Sequence, residues 1–321
     1  MYGNGGGTTA RAEANAGKFR DPGVTADGAP RASVPLSHPR TLWFNTGTLC
    51  NIACTNCYID SSPTNDALEY ITAKEVARYL DELAALGWPV EEIGFTGGEP
   101  FLNPGIVKMV EDALERGYRV LVLTNAMKPM MRPRLQQGLK RLIALYGDRL
   151  TLRVSLDHWD RGPHDEIRGA GSYDETLKGL AWLRDEGARL AVAGRALWGM
   201  DETRARAGYA DFFAEQGLDI DAQDPGRTVI FPEMDLSVEV PEITTACWGI
   251  LGKRPEDVMC ASSRMVVKRR GRPASVLACT LIAYDEAFEM GATLAEADRP
   301  VALNHPHCAK FCVLGGAACS I

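Results

Sequence analysis

The sequence predicts an α/β fold in which a parallel sheet is covered by helices. Two observations carry this. Short apolar runs alternate with amphipathic helical stripes, and every apolar run is followed by polar or metal-ligating residues. The runs are Leu42-Trp43-Phe44, Ile93-Gly94-Phe95, Val120 to Leu123, Leu150 to Leu156, Leu190-Ala191-Val192 and Val229-Ile230-Phe231. Helical spacing relates Val76, Tyr79, Leu80 and Leu83, and again Ile106, Val107, Val110 and Leu114. Periodicity alone does not separate an open sheet from a barrel.

Taken in order, the strand ends collect the chemistry. Cys50 follows the first strand, Gly97-Gly98-Glu99 the second, and Thr124-Asn125 the third. Ser155 and Asp157 end the fourth, Arg195 ends the fifth, and Glu233 follows the sixth. Ligands of parallel α/β folds gather at the carboxyl ends of strands, so this distribution predicts one site there.

Residues 1–38 are rich in Gly, Ala, Thr and Arg without apolar periodicity and are expected to form a disordered tail. A catalytic core is expected over 39–240 and a small cysteine-rich module over 241–321. With 45% hydrophobic residues the chain has material for a substantial core. A net charge of -7 and a pI near 5.4 argue against nucleic acid as a partner. No apolar run approaches a membrane span and no signal peptide is evident, so the expected compartment is the cytoplasm. Nine cysteines in such a chain read as cluster ligands and buried thiols rather than disulfides.

Three of those cysteines crowd into Cys50-Asn-Ile-Ala-Cys54-Thr-Asn-Cys57. A soft anionic ligand set on one short loop suits an iron–sulfur cluster or zinc. The spacing, followed by Thr96-Gly97-Gly98-Glu99-Pro100, resembles the radical S-adenosylmethionine (radical SAM) superfamily. The resemblance implies a partial (β/α)6 barrel with a small cysteine-rich C-terminal extension. It implies a 4Fe–4S cluster on Cys50, Cys54 and Cys57, with S-adenosylmethionine on its open iron. Gly97 and Gly98 would let backbone approach the nucleotide, and Glu99 would take its ammonium group. The aromatic residue usual before the third cysteine is replaced by Asn56, with Tyr58 after Cys57.

Val154-Ser155-Leu156-Asp157-His158, with Ile167-Arg168-Gly169 downstream, resembles members related to molybdopterin precursor synthases and peptide-maturing enzymes. The resemblance implies that Ser155 and Arg168 contact the nucleotide's ribose and carboxylate, for which a planar guanidinium is suited. Thr124 and Asn125 match a Thr-Asn pair in the same relatives; an ordinary turn is the alternative. Asp157, His158, Arg195 and Glu233 are candidates for substrate or nucleotide contacts.

Cys260 and Cys279 stand at the two bases of an expected β-hairpin with a basic turn (Lys268, Arg269, Arg270, Gly271, Arg272), read as solvated. Cys308, Cys312 and Cys319 follow. The arrangement resembles the SPASM and twitch auxiliary-cluster modules and implies a second 4Fe–4S cluster. Cys260, Cys279, Cys312 and Cys319 are its expected ligands, with Cys308 as competitor. Zinc is the alternative, since His305 and His307 adjoin Cys308. Cys247 is expected to be a buried thiol.

The resemblance implies an enzyme that receives an electron from a reducing partner such as flavodoxin or ferredoxin. It would cleave S-adenosylmethionine reductively, and the 5′-deoxyadenosyl radical would take hydrogen from a peptide or a small molecule. The alternative function is a non-catalytic iron–sulfur electron carrier, which leaves the Gly-Gly-Glu-Pro segment unexplained.

Overall fold

Six parallel strands line up in the order in which the chain makes them, because each is followed by a helix that returns it to the same end of the sheet. The computed structural model describes residue 15 and residues 17–196, 199–232 and 239–315. After a short β1 (Ser33–Val34), the parallel strands are β2 (Thr41–Asn45), β3 (Glu92–Thr96), β4 (Arg119–Thr124), β5 (Leu150–Ser155), β6 (Arg189–Ala196) and β7 (Thr228–Pro232). Their register is continuous, running Asn45↔Thr96, Thr124↔Val154 and Ser155↔Ala193. Strand ends therefore lie at comparable height, and the residues that follow them converge.

The helices form for local reasons. The first, α1 (Ala73–Leu86), opens with a capping box between Thr72 and Glu75 and stops at Gly87, whose φ of 63° suits a residue without Cβ. It buries Val76, Tyr79, Leu80 and Leu83, the stripe read from sequence. The second, α2 (Ile106–Glu115), buries Ile106, Met109, Val110, Ala113 and Leu114, while Val107 is half-buried. Then come α3 (Pro133–Tyr146), α4 (Arg161–Arg168), α5 (Ser172–Asp185) and α6 (Glu202–Glu215). Each buried Leu, Val or Phe side chain of this layer contributes about 1.5–3 kcal/mol relative to exposure.

The barrel stays open. Strand β2 pairs with β3 on one edge and with β8 (Ser263–Lys268) on the other, so both its hydrogen-bonding edges are used and β7 has no β2 edge to close upon. Strand β8 turns back as β9 (Ala274–Leu277), and β10 (Glu289–Gly291) completes a nine-stranded sheet. The expected hairpin is thus present, and it extends the core sheet rather than standing apart from it. The tip of its turn, Arg270 to Arg272, is exposed as expected, while Arg269 is buried; Lys268 pairs with Glu75 at 3.0 Å, Arg269 with Glu289 at 2.9 Å, Arg272 with Glu286 at 3.3 Å, and Arg270 with Asp66.

The described half of the expected tail is folded. Strand β1 pairs with β11 (Val301–Ala302), Ala32 and Val34 are fully buried, and Arg31 forms a buried ion pair with Glu242. Glu242 also accepts from the amides of Phe19 and Ala26. Composition concealed this because a few long-range polar anchors, not apolar periodicity, hold the segment. Among the described residues, no helix is long and apolar enough to cross a membrane.

Candidate metal and nucleotide site

The loop after β2 bends back at the carboxyl end of the sheet and brings its three thiols to one cavity of about 130 Å³. Cys50, Cys54 and Cys57 share its wall with Gly97 and Gly98 after β3, Thr124 and Asn125 at the end of β4, Ser155 and Asp157 at the end of β5, Arg168 at the end of α4, and Arg195 from β6. Eight of the strand-end positions read from sequence are therefore neighbours in space. The loop is pinned at several points. The Cys50 amide donates to Ser62 O at 3.0 Å, the Thr55 amide to Ile167 O at 2.8 Å, and the Asp60 amide to Cys57 O at 3.1 Å. Asn56 (φ 55°) and Asp60 (φ 46°) take left-handed backbone, which short polar side chains tolerate. Tyr58 reaches Thr96 Oγ1 at 3.1 Å.

Burial pushes the Cys50 thiol up to about 12 and raises Cys54 as well, although Arg168 opposes the shift at Cys54. A metal that takes these thiols must displace their protons, so binding is coupled to proton release. The Asn125 amide lies 3.9 Å from Cys50 Sγ and donates to Asn51 Oδ1 at 2.8 Å.

The two glycines line the cavity and also serve the packing of the cysteine loop. A Cβ on Gly98 would stand 2.2 Å from Leu49 O, and one on Gly97, whose φ is 141°, 2.5 Å from Gly47 O. The missing side chains make room for the cysteine loop itself. Gly98 N donates to Gly47 O at 2.8 Å, and Glu99 N to Leu49 O at 3.1 Å. The motif therefore docks the loop before Cys50 onto the end of β3.

Glu99 departs from expectation. Its side chain is 1% exposed and lies behind the cavity wall rather than on it. Oε1 accepts from Phe101 N (3.1 Å) and Thr124 Oγ1 (2.9 Å), and Oε2 accepts from Asn125 N (2.8 Å). Burial pushes this carboxyl up to about 7, against the three donors that favour its charge. It ties the end of β3 to the end of β4.

Asp157 is the electrostatic centre of the opposite wall. Arg168 donates to it from Nε at 2.7 Å and from an Nη at 3.3 Å, and Arg195 Nε stands 3.2 Å from Oδ1. Burial alone would raise Asp157, but the two guanidiniums outweigh it and hold the carboxyl below its usual range. Arg195 also reaches the carbonyls of Thr55 and Asn56, at 3.3 and 3.5 Å, and so clamps the cysteine loop. His158 turns away from the cavity: it stacks on Trp159 at 3.9 Å and its Nδ1 accepts from Asp160 N. Unlike Asp157, it does not line the cavity. Glu233 lies outside the described residues. Sequence reasoning missed Ser61, Arg153, Phe231, Leu281 and Phe311 on the cavity wall. Only the strand-end position of Phe231 carried a signal.

A second, apolar cavity of about 20 Å³ lies at the open end of the β8–β9 hairpin and is lined by Cys260, Cys279, Cys308 and Cys312 with His307. The four thiols come from both bases of the hairpin and from a helical turn over Cys308–Leu314. Burial pushes Cys260 up to about 11 and Cys308 up to about 12. Cys319 lies outside the described residues. Cys247 is half-buried, accepts from Thr244 N, and does not reach this cavity. Leu281 borders both cavities, and Phe311, stacked on Phe231, precedes Cys312 on the shared wall. Among the described residues, no three His, Cys, Asp or Glu side chains stand as a ready ligand set for one ion.

Comparison with known proteins agrees with this geometry. The family model of the Radical SAM superfamily matches residues 44–204, half of the chain. The antilisterial bacteriocin subtilosin biosynthesis protein AlbA of Bacillus subtilis (strain 168) is 30% identical over 171 residues, 53% of this chain and 35% of that protein. Fe-coproporphyrin III synthase of Methanosarcina barkeri (strain Fusaro / DSM 804) is 30% identical over 155 residues, 48% of this chain and 36% of its own. The chain thus matches little more than a third of either relative's length. The fold is that of the crystal structure of Streptococcus suis SuiB bound to S-adenosylmethionine. The TM-score is 0.57 at 14% identity, covering 80% of this chain and 64% of that one.

Proposed function

Because this chain belongs to the radical SAM superfamily, we propose that it cleaves S-adenosylmethionine reductively at a 4Fe–4S cluster and takes hydrogen from a bound substrate. The observation that carries the reading is the single cavity that unites three thiols of one loop with the glycine segment and the polar ends of β4, β5 and β6. The donor set fits the cofactors: soft thiols on one side, and on the other a hydroxyl, an amide and a guanidinium.

Cys50, Cys54 and Cys57 would hold the cluster, and Asn125 would donate toward Cys50. Ser155 and Arg168 would receive the ribose and carboxylate of the nucleotide, with Asp157 keeping Arg168 charged and oriented. Glu99 keeps Thr124 and Asn125 in place from behind the wall. When bound, the cluster supplies one electron and the nucleotide supplies a carbon radical able to abstract hydrogen. The chain's own part is to exclude water, orient the substrate and hold the loop rigid.

Cys260, Cys279, Cys308 and Cys312 are the proposed ligands of a second 4Fe–4S cluster, a full thiolate set. Cys308, expected only as a competitor, is included because it shares the cavity with the other three, while Cys319 lies outside the described residues. The substrate would meet the wall of Phe231, Leu281 and Phe311 between the two thiol groups. One relative is named for bacteriocin biosynthesis and another for a porphyrin, so a peptide and a small molecule are both carried as substrate classes. A flavodoxin or ferredoxin is the proposed electron source.

Anaerobic incubation of the reconstituted protein with S-adenosylmethionine and dithionite tests the reading. Release of 5′-deoxyadenosine is expected; its absence, with a cluster in place, would leave an electron carrier.

A further inference from the structure

Most polar side chains on the wall of the main cavity are already engaged. Tyr58 and Thr96 share a hydroxyl contact, Thr124 donates to Glu99, Asn125 donates to Asn51, and Arg168 and Arg195 hold Asp157. Ser61 is different. It is 5% exposed, it lines the same wall as Cys50, Cys54 and Cys57, and its Oγ is buried with no hydrogen-bond partner among the described residues. A buried hydroxyl without a partner is costly and rare, so its position asks for an acceptor.

The backbone carries Ser61 back alongside the cysteine loop, onto the cavity wall that the three thiols share. The turn after Cys57 closes with the Asp60 amide on Cys57 O, and Asp60 takes left-handed backbone. The chain then runs back along the start of the loop, where Leu49 and Ser62 form a parallel bridge and Ser62 O accepts the Cys50 amide. In that parallel register Ser61 lies opposite Thr48, two residues before Cys50, and it follows Cys57 by four residues.

On the reading that these thiols hold a 4Fe–4S cluster, we propose that Ser61 donates its hydroxyl hydrogen to a sulfur of that cluster and raises its reduction potential. Reduction adds negative charge that spreads onto the sulfurs, and an O–H dipole aimed at one of them favours the reduced state. Asn125, whose amide lies 3.9 Å from Cys50 Sγ, is the complementary donor.

The test is an EPR-monitored redox titration of the full, anaerobically reconstituted chain, without S-adenosylmethionine. Ser61→Ala should keep the wild-type iron content but be harder to reduce. At a fixed poise its reduced-to-oxidised ratio should fall about tenfold, equivalent to ~59 mV for one electron. Ser61→Thr keeps the hydroxyl and should titrate like the wild type. An unchanged ratio in Ser61→Ala would overturn the proposal, as would an equal shift in Ser61→Thr. A shift seen only after the nucleotide is added would also overturn it and assign the hydroxyl to the nucleotide. A second measurement needs no variant: the reduced wild-type cluster should show a proton coupling by ENDOR that vanishes in deuterium oxide. Its absence overturns the inference even if Ser61→Ala fails to take up iron. Wild-type protein that binds no iron at Cys50–Cys57 would sink the cluster reading itself, a result distinct from a loaded cluster with an unmoved potential.

Discussion

Asp157 and Arg168 form a buried ion pair, Nε to Oδ2 at 2.7 Å, with side chains 3% and 10% exposed. Arg195 joins from the next strand and carries the pair's influence to the Thr55 and Asn56 carbonyls of the cysteine loop. One carboxylate therefore sets the position of two guanidiniums on the wall of the site.

Asp157→Asn should cost stability out of proportion to its size. It leaves two buried cations with a neutral partner, and breaking a buried pair typically costs about 3–5 kcal/mol. Urea denaturation of the metal-free protein measures this. A loss below about 1 kcal/mol would mean that water already balances the arginines.

Replacing Cys50, Cys54 and Cys57 together by Ala should remove one cluster and leave the C-terminal thiols able to bind theirs. Iron and sulfide are counted after anaerobic reconstitution. A triple variant with the wild-type iron content would remove the loop from consideration as a cluster site.

The C-terminal thiols should raise the total to about eight iron atoms per chain, taking 4Fe–4S as the type of both clusters. Cys308→Ala should lower it to about four. Elemental analysis that finds four iron atoms and one zinc in the wild-type protein would replace the second cluster by a structural zinc site.

Glu99→Gln should destabilise the β3–β4 end rather than merely weaken nucleotide affinity. The carboxylate accepts from three donors, and an amide nitrogen in place of either oxygen sets donor against donor. An unsatisfied buried group costs about 1–3 kcal/mol. Thermal unfolding of the metal-free variant should show the loss. Unchanged stability with weakened nucleotide binding would return the carboxylate to the role of ammonium acceptor.

His164 makes stability pH-dependent. Among the described residues neither ring nitrogen has a hydrogen-bond partner, and the side chain is fully buried beside Tyr173, near Asp157, Asp165, His158 and Arg168. Burial drives it down to about 4, with Arg168 adding to the effect and the two aspartates opposing it. The unfolded chain therefore binds its proton first, near pH 6.5, and the folded chain only near 4. Stability is complete above about pH 6.5 and is lost as pH falls toward 4, by an amount of order 3 kcal/mol. His164→Phe should flatten that part of the stability profile; an unchanged slope would locate the titration elsewhere.

Much of this was written in local sequence. Apolar runs of a few residues, separated by stripes at helical spacing, determined six strands and the buried faces of α1 and α2, because burial on a sheet or helix follows a fixed period. The thiol spacing and the polar strand ends determined that a site exists and where it lies, because parallel strands deliver their ends to one edge. What tertiary structure alone decided is direction and partnership. Glu99 and Gly98 belong to the motif as read, yet the carboxylate turns into the wall and the missing Cβ accommodates Leu49 O, since both depend on how a distant loop packs. The hairpin was legible, but its pairing with β2, which keeps the barrel open, depends on an edge more than two hundred residues away in sequence. Ser61 carried no pattern at all. Its significance arises only when the folded loop buries it on the wall shared by Cys50, Cys54 and Cys57, because a hydroxyl acquires a role from what it is buried against.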